Sequence, residues 1–314
     1  MPRTDQAGAP DRPRQLRRKL DGVLLFDKQA GPSSNACLGL IKRLFAAQKA
    51  GHTGTLDPFA TGLLVVALGE ATKFTQGLLD ADKTYLASMR LGIVTNTGDT
   101  EGEVIERTPV TCSQAEVAAA LGRFRGEILQ IPPMYSALKR DGKPLYAYAR
   151  AGIELPREAR KVTIHALDPL EFAGDTAVFR VRCSKGTYVR TLAEDIGRML
   201  GCGAHLVALR REAIGEHSIA AAHDAAALDA MTTGERDACL LPADSLAAGL
   251  PRVDFDAPQS ARLKQGQRIA LAPAVVMEVE TARAYDPAGR FLGLVRVVDG
   301  VAHPFRLVVD SAVV

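Results

Sequence analysis

The chain has 314 residues, a formal net charge of +3 at neutral pH and 47% hydrophobic residues, as expected for a globular protein of one or two domains. No apolar run approaches the roughly 20 residues that span a bilayer, and no apolar segment precedes Leu20, so we expect neither a membrane protein nor a secretory signal. The five cysteines are scattered without a CxxC pair, which argues against a structural zinc site and a disulfide framework. We therefore expect a cytoplasmic protein, in which any polyanion site is a local cluster of cations.

Residues 1–19 mix proline, glycine and glutamine with basic side chains, and this composition predicts a disordered basic arm. A loose phosphate contact and a solubilising tail are both compatible with it. Beyond the arm, Ser33 or Ser34 is expected to cap a helix. In chain order the patterns predict a strand at 23–26, that helix with Cys37, Leu40, Ile41, Leu44 and Phe45 on its apolar face, a buried strand at 63–68, a helix at 71–79 and an alternating strand at 83–91.

Residues 95–102 resemble a calcium loop in composition only, because the alternating acids and the terminal glutamate are missing. Further along, the patterns predict a helix at 113–121 with Ser113 and Glu116 in a capping box, paired strands at 161–172 and 176–183, a helix with Leu192, Ile196, Met199 and Leu200 on one face, a strand at 204–214 and helical segments within 221–250. After Pro251 they predict a small β-rich module with a helix near 258–265 and strands at 275–280, 290–298 and 305–309.

Between Gln130 and Arg160 the chain interleaves cations with tyrosines. The side chains concerned are Tyr135, Lys139, Arg140, Lys143, Tyr146, Tyr148, Arg150 and Arg157. Positive charge suits phosphate and aromatic rings suit unstacked bases, so the pattern favours an RNA-contacting segment. A solvated charged surface with a short amphipathic helix is the alternative.

The stretch from Gly51 to Gly62 contains three glycines, three threonines and one proline, a composition that predicts a loop. Asp57 precedes Pro58, which restricts its backbone to extended or turn conformations. We therefore expect a carboxylate presented on a rigid turn, and an Asp that only caps its own turn is the alternative. No P-loop, no GxGxxG after a strand and no Ser-His-Asp order is present, so the residues alone indicate at most an RNA-acting protein with a carboxylate.

The same stretch, Gly51-His52-Thr53-Gly54-Thr55-Leu56-Asp57-Pro58 with Ala60-Thr61-Gly62, resembles the catalytic motif of the TruB family of tRNA pseudouridine synthases. Further matches follow in the family's order: Lys83-Thr84-Tyr85, Thr95-Asn96-Thr97-Gly98-Asp99, Ile131-Pro132-Pro133 with Tyr135-Ser136-Ala137-Leu138-Lys139, Cys183-Ser184-Lys185-Gly186-Thr187-Tyr188-Val189-Arg190, and Ala204-His205-Leu206 through Leu209-Arg210-Arg211. The resemblance covers residues 20–314. One departure is that Lys28 precedes Gln29, where the family often has Lys-Pro.

The resemblance implies an α+β pseudouridine synthase fold with a mixed, mainly antiparallel sheet and flanking helices. It divides the chain into a catalytic domain at 20–249, with an RNA-gripping insertion at about 130–160, and a β-barrel-like PUA RNA-binding module at 250–314. The implied reaction converts uridine 55 in the T-loop of tRNA to pseudouridine after the base is flipped out. Neither a cofactor nor a metal is implied, the partner is tRNA, and a monomer is expected.

By the same resemblance Asp57 is the catalytic residue. His52 takes the space of the flipped base, Tyr85 stacks on the uracil, and Tyr188 and Leu209 line the pocket. Structural roles are the alternatives: a loop histidine with its hydrogen bonds satisfied, an inward-facing strand tyrosine, and core packing for Tyr188 and Leu209.

Three further residues are expected to support the site. Arg190 pairs with Asp57, since its planar fork matches a carboxylate, and a surface ion pair is the alternative. Lys28 and Asp99 are weaker candidates, because turn and salt-bridge roles explain both. Two rival functions remain: pseudouridylation directed by a guide RNA, against which the lack of long terminal extensions argues, and RNA binding or folding without catalysis, against which the intact Asp57, Tyr85 and Arg190 argue.

Overall fold

A computed structural model describes residues 16–271 and 280–309 of the chain. Up to residue 250 the helices are α1 (Ser34–Leu44), α2 (Thr75–Asp80), α3 (Gln114–Arg123), α4 (Leu145–Arg150), α5 (Val189–Met199), α6 (Ala225–Ala230) and α7 (Thr233–Ala238), with 3₁₀ turns at Gly69–Phe74, Ile219–Ala221 and Ala243–Ala247. The strands of the same stretch are β1 (Gly22–Lys28), β2 (Ala50–Thr53), β3 (Thr61–Leu68), β4 (Lys83–Leu91), β5 (Ile93–Thr95), β6 (Val104–Arg107), β7 (Gly126–Gln130), β8 (Lys139–Arg140), β9 (Lys143–Pro144), β10 (Arg160–Ala173), β11 (Thr176–Cys183), β12 (Ala204–Ile214) and β13 (His217–Ser218).

Nine strands form the central sheet, in the order β1-β3-β12-β4-β11-β10-β7, with β2 paired to β3 and β13 paired to β12. Every pair is antiparallel except β3 and β12, which run parallel. The predicted mixed, mainly antiparallel sheet with flanking helices is thus confirmed. Because β12 lies between β3 and β4, Arg211 has Gly62 as its register partner on one side and Tyr85 on the other.

The sheet is covered on both faces, which explains why β3 is apolar along its whole length. Alternate residues of a strand point to opposite faces. Accordingly Leu64 and Val66 pack with Ile41 of α1, whereas Leu63 and Val65 pack against the 3₁₀ turn that follows the strand. A third cluster is built around α3, α5 and strands β4, β11 and β12. It also contains Leu56 and Ala60, which lie in the loop between β2 and β3. The loop is therefore anchored in the core at two points.

Most predicted elements are present with shifted ends. Ser33 caps α1, and Ser113 and Glu116 form both hydrogen bonds of the predicted capping box at the start of α3. The helix predicted at 71–79 is a 3₁₀ turn followed by α2.

The prediction of a loop over the whole of 51–62 was wrong at both ends, since 51–53 belong to β2 and 61–62 to β3. The backbone of β2 pairs along the buried strand β3, and these cross-strand hydrogen bonds outweigh the weak strand propensity of glycine.

The arm and the insertion have well-defined points of attachment. Residues 1–15 lie outside the described part, but Arg18 pairs with Asp237 at 2.6 Å, so contacts of the folded domain begin before residue 20. The segment from 131 to 159 leaves the sheet at Gln130 and returns at Arg160, which are register partners in β7 and β10. It contains the β8–β9 hairpin and α4.

The remaining elements are β14 (Arg252–Asp254), α8 (Ala257–Lys264), β15 (Ile269–Ala270), β16 (Thr281–Tyr285), β17 (Phe291–Val298) and β18 (Val301–Leu307). The five strands form a second, curled sheet in the order β14-β16-β17-β18-β15, as expected for a PUA-like module. The module has its own core, to which Phe255, Leu263 and Val295 contribute. The strand predicted at 275–280 falls almost wholly on residues outside the described part.

The C-terminal module packs directly on the part of the chain before residue 250. Phe291 and Leu294 of β17 join the cluster that contains Phe74 and Leu246 of the first domain. The rings of Phe74 and Phe291 meet edge-on with their centroids 5.0 Å apart, a favourable aromatic geometry. Hydrogen bonds add to this apolar contact, among them Tyr285 Oη to Asp244 at 2.6 Å and Lys73 Nζ to the carbonyl of Leu307 at 3.1 Å, so the contact favours a fixed orientation of the two parts. Among the described residues no helix has the length and hydropathy needed to cross a membrane.

Candidate active site at the Asp57 loop

Asp57 lies in the loop that connects β2 to β3, and Lys28 holds the second half of this loop. Lys28, at the end of β1, is fully buried, and its Nζ donates to the carbonyls of Pro58 at 3.0 Å and Ala60 at 2.6 Å. Burial lowers the pKa of Lys28, and the carboxylate of Asp57 acts in the opposite direction. Lys28 therefore positions the backbone on the C-terminal side of Asp57, although no proline follows it.

Ser34 holds the first half of the loop from the start of α1. Its hydroxyl accepts from the backbone N–H of Leu56 at 2.8 Å and donates to the carbonyl of the same residue at 3.0 Å. The sequence left Ser33 and Ser34 as alternative caps. Ser33 takes that role, so Ser34 is available to hold the residue next to Asp57.

Arg190, in the first turn of α5, connects the loop to a second acid. Its Nη2 lies 3.0 Å from Oδ2 of Asp57, and its Nη1 lies 3.3 Å from Oδ2 of Asp99. The guanidinium also donates to the carbonyls of Thr97 at 2.8 Å and Tyr135 at 2.7 Å. The side chain of Arg190 is 4% exposed and that of Asp57 is 35% exposed, so the carboxylate is held from the interior and open on its other side.

Asp99 is the buried member of this group. Its Oδ1 accepts from the hydroxyl of Thr97 at 2.6 Å and from the backbone N–H of Glu101 at 3.0 Å, which leaves Oδ2 for Arg190. These bonds fix Asp99, and through it they fix the guanidinium. The structure thus places Asp99 behind Arg190, on the side away from solvent.

Opposing effects act on the pKa of Asp57. Burial raises its pKa, the nearby carboxylate of Asp99 raises it further, and the guanidinium of Arg190 lowers it, with a net shift upwards. Because a third of the side chain is exposed and Arg190 is in contact with it, we expect the ionised form to be the working form near neutral pH.

Tyr85 and Leu209 lie on neighbouring strands close to the loop. Both belong to, or pack against, the cluster that contains Leu56 and Ala60. Burial raises the pKa of the Tyr85 hydroxyl, the guanidinium of Arg211 lowers it and the carboxylate of Asp57 raises it, so all three groups share one electrostatic environment. Leu209 is almost fully buried, and its side chain therefore contributes chiefly to the core.

Tyr188 immediately precedes α5 and is half-buried. The buried side chain of Gln130 binds its backbone on both sides: Oε1 accepts from the N–H at 3.0 Å, and Nε2 donates to the carbonyl at 3.2 Å. This double contact joins the end of β7, where the insertion starts, to a residue two positions before Arg190. Burial raises the pKa of the Tyr188 hydroxyl.

His52 occupies a different position, on β2 rather than in the loop. Its Nε2 lies 3.3 Å from the side-chain oxygen of Asn35 in α1, and its Nδ1 is buried without a hydrogen-bond partner. Burial, assisted by the guanidinium of Arg211, lowers the pKa of His52, which favours the neutral imidazole. The ring lies on the α1 side of the loop, not in the Asp57–Arg190–Asp99 group.

Sequence reasoning missed Ser34, Gln130 and above all Arg211 as parts of the site. Arg211 was included only as the last residue of a matching motif. The sequence signal that could have identified Arg211 is the alternation of side chains along β12. Leu209 and Arg211 lie on one face of the strand, whereas Arg210 lies on the other face and pairs with Asp27 at 2.7 Å.

A cavity of about 670 Å³ lies next to the group, between the insertion and α5. Thr97 and Tyr135, whose carbonyls bind Arg190, are part of its wall. The cavity therefore adjoins the back of the Arg190 side chain. In residues 16–271 and 280–309, no group of three or more His, Cys, Asp or Glu side chains is arranged to hold a metal ion.

The mixed sheet, with a loop carboxylate held by a buried arginine of α5, has the fold of the pseudouridine synthases, and the curled C-terminal sheet is consistent with a PUA-like module. Solved structures agree. The Cbf5-Nop10-Gar1 complex has a chain with a TM-score of 0.67 and 26% identity, over 88% of this chain and 78% of that one. A chain of the archaeal box H/ACA sRNP Nop10-Cbf5 complex shares the fold with a TM-score of 0.69, over 94% of this chain and 88% of that one.

The family follows from sequence comparison. The model of the TruB family pseudouridylate synthase N-terminal domain matches residues 42–189, and models of two TruB C-terminal domains match residues 190–248 and 251–308. The tRNA pseudouridine synthase B of Burkholderia mallei is 56% identical over 96% of this chain and 98% of its own length. That of Cupriavidus metallidurans is 53% identical over 94% of this chain and 96% of its own length. The chain belongs to the TruB family and is a pseudouridine synthase, an isomerase.

Proposed function

We propose that the protein isomerises uridine 55 in the T-loop of tRNA to pseudouridine, with Asp57 as the catalytic carboxylate and without a guide RNA. One observation carries the proposal: Asp57 is open to solvent on one side and held on the other by the buried guanidinium of Arg190, 3.0 Å away. A group fixed in this way meets its substrate with little reorganisation.

The chemistry suits a carboxylate. In the reaction the bond between uracil N1 and ribose C1′ breaks, the base turns, and C5 bonds to C1′ while C5 loses a proton and N1 gains one. Cleavage leaves C1′ electron-poor, and a carboxylate can bond such a carbon or stabilise it, as in glycoside hydrolysis. All atoms of the product come from the substrate and water, so no external oxidant or reductant is needed.

The surrounding residues suit an unstacked base. Flipping a nucleotide out of a folded loop costs a few kcal/mol, which contacts in the pocket offset. We assign Tyr85 to stack on the uracil, Tyr188 and the backbone of Leu209 to line the pocket, and His52 to take the space that the base leaves. The neutral imidazole favoured by the lowered pKa of His52 is compatible with stacking.

Two regions of the surface have side chains suited to contact the phosphates and bases of the tRNA outside the pocket. The insertion exposes cations and rings together, with the Arg150 guanidinium 5.5 Å from the centroid of Tyr146. On the C-terminal module the guanidinium of Arg296 lies 4.2 Å above the ring of Phe305, which is 40% exposed. Such pairs offer charge to phosphates and a flat surface to bases.

The absence of a guide RNA is supported by the pattern of similarity. Relatives named tRNA pseudouridine synthase B match nearly the whole chain at 53–56% identity. The structures of Cbf5 complexes, one of them a box H/ACA sRNP, match it at 23–26% identity. Acting alone in the cytoplasm as a monomer is part of the same proposal.

The test is to incubate the purified protein with an unmodified tRNA transcript, without guide RNA, and to map the isomerised base. We expect pseudouridine at position 55 and none in a matched transcript with cytidine there. Product at another uridine would overturn the position, and product only after a guide RNA is added would overturn the stand-alone activity. Binding of the transcript with no product under either condition would favour the non-catalytic alternative.

A further inference from the structure

Arg211 is a cation in the interior, 1% exposed, that contacts the backbone on both sides of Asp57. On the N-terminal side of Asp57, its Nη2 donates to the carbonyl of Gly54 at 3.1 Å and its Nη1 approaches that of Thr55 at 3.5 Å. On the C-terminal side, its Nε donates to the carbonyl of Leu63 at 2.8 Å. One planar group thus connects the start of the loop to β3, the strand to which the loop returns.

The backbone of Arg211 reinforces this position. In the parallel pairing of β12 with β3 it lies opposite Gly62, whose φ of +99° is a conformation that favours glycine. A Cβ on Gly62 would collide with the carbonyl oxygen of Arg211, so the strands approach this closely only because residue 62 is glycine. In the antiparallel pairing with β4, Arg211 lies opposite Tyr85.

The charge of Arg211 has no acidic partner. Among the described residues no carboxylate pairs with it, and its contacts are carbonyl oxygens and the hydroxyl of Tyr85. A buried cation without an acidic partner lowers the stability of the fold. If packing were its only role, a neutral side chain of similar size would give a more stable protein. The five N–H groups of a guanidinium can serve several carbonyls in one plane, which an ammonium cannot do.

We propose that Arg211 is a positioning residue of the reaction, which sets the place of the Asp57 loop relative to the strand that carries Tyr85. The proposal depends on the role of Asp57 given above. Arg211 is too deeply buried to touch RNA, so it acts through the loop. A displacement of about 1 Å at a reacting group is enough to lower a rate by roughly a hundredfold, while the RNA-binding surface stays unchanged.

The test is the single-turnover rate constant of Arg211→Lys with a saturating excess of enzyme over tRNA transcript. We expect a loss of at least about tenfold, with the Kd for the transcript within about threefold of wild type. Arg210→Lys is the matched control, because Arg210 is the neighbouring residue of the same strand, points away from the loop and pairs with Asp27. Arg210→Lys should keep both values.

The thermal unfolding curve of each variant gives the fraction of folded molecules at the assay temperature. Each rate constant is divided by that fraction, so that a loss of stability alone does not lower it. Arg211→Lys that is folded and reacts at the wild-type rate would overturn the proposal, as would a rate loss matched by an equal loss of affinity. Asp57→Asn is measured in parallel. Full product from Asp57→Asn overturns the role of Asp57 and this proposal with it, whereas an inactive Asp57→Asn beside a fully active Arg211→Lys overturns this proposal alone.

Discussion

The guanidinium of Arg190 and the carboxylate of Asp57 are 3.0 Å apart, and the arginine is buried while a third of the aspartate side chain is exposed. The pair is therefore anchored from the side of the interior. Four acceptors hold Arg190: two carboxylates and the carbonyls of Thr97 and Tyr135. The backbone on either side of Asp57 is held as well, by Ser34 at Leu56 and by Lys28 at Pro58.

If Asp57 is the catalyst, Asp57→Asn should abolish product and leave the Kd for the tRNA transcript within a few-fold of wild type. The amide keeps the shape of the side chain but cannot act as a carboxylate toward C1′. The measurements are base mapping after long incubation and equilibrium binding. Persistent product would remove Asp57 from the reaction.

Arg190→Lys should lower the single-turnover rate by about a hundredfold, because an ammonium cannot bind two carboxylates and two carbonyls in the plane of the fork. The matched control is Arg198→Lys, on the same helix, where the arginine is 76% exposed and pairs with Asp195. The control should react at the wild-type rate. Equal rates for both variants would mean that Arg190 is not needed to orient Asp57.

Tyr85→Leu and Tyr85→Phe separate the ring from the hydroxyl. If the ring stacks on the uracil, Tyr85→Leu should cut turnover strongly, whereas Tyr85→Phe should leave tRNA binding nearly unchanged. The phenylalanine variant then measures the hydroxyl alone, through its effect on turnover. Small and equal losses in both variants, in rate and in Kd, would place Tyr85 outside the pocket.

The raised pKa of Asp57 makes a prediction about stability. A carboxyl group whose pKa is higher in the folded chain than in the unfolded chain stabilises the fold at pH values below its unfolded pKa. This stabilisation is lost as the pH rises through its folded pKa. Asparagine binds no proton, so Asp57→Asn should have a higher Tm than wild type at pH 7, and the difference should vanish below about pH 4. Thermal unfolding across this range measures it.

Glu116 provides a control of opposite sign. Hydrogen bonds from Ser113 in the capping box lower the pKa of Glu116, so its stabilising effect is present above the unfolded pKa and is lost as the pH falls. Glu116→Gln should therefore lower the Tm at pH 7 and not at low pH. A lower Tm for Asp57→Asn at pH 7 would show that the ion pair with Arg190 outweighs burial.

The C-terminal module should contribute to tRNA affinity through Arg296. Deleting the module would uncover the apolar contact of Phe291 with Phe74, so a surface variant is the cleaner test. Arg296→Gln should raise the Kd and reduce the slope of log Kd against log salt by about one if one phosphate contact is lost. Arg290→Gln, an arginine 75% exposed on the same module, is the control. An unchanged slope for Arg296→Gln would mean that it contacts no phosphate.

Local patterns were sufficient for most of the fold. Alternation predicted β4, an unbroken apolar run predicted β3, and the Ser113–Glu116 spacing predicted the start of α3. These features depend on residues a few positions apart, whose spacing determines which side chains share a face. The ends of the 51–62 stretch were misassigned because glycine content reports local preference, whereas β2 forms by pairing with a strand that is buried for other reasons.

The amino-acid sequence shows which functional groups are present: a carboxylate in a glycine-rich motif before a proline, an arginine that follows a Gly-Thr-Tyr stretch, and tyrosines among cations. Their arrangement in space follows from the fold. Arg190 reaches Asp57, Asp99 and Tyr135 from far along the chain, and Arg211 lies between Gly62 and Tyr85 because β12 is inserted between β3 and β4. Such contacts depend on the order of strands in the sheet, and strand order is set by burial of the whole sheet rather than by the residues next to each group.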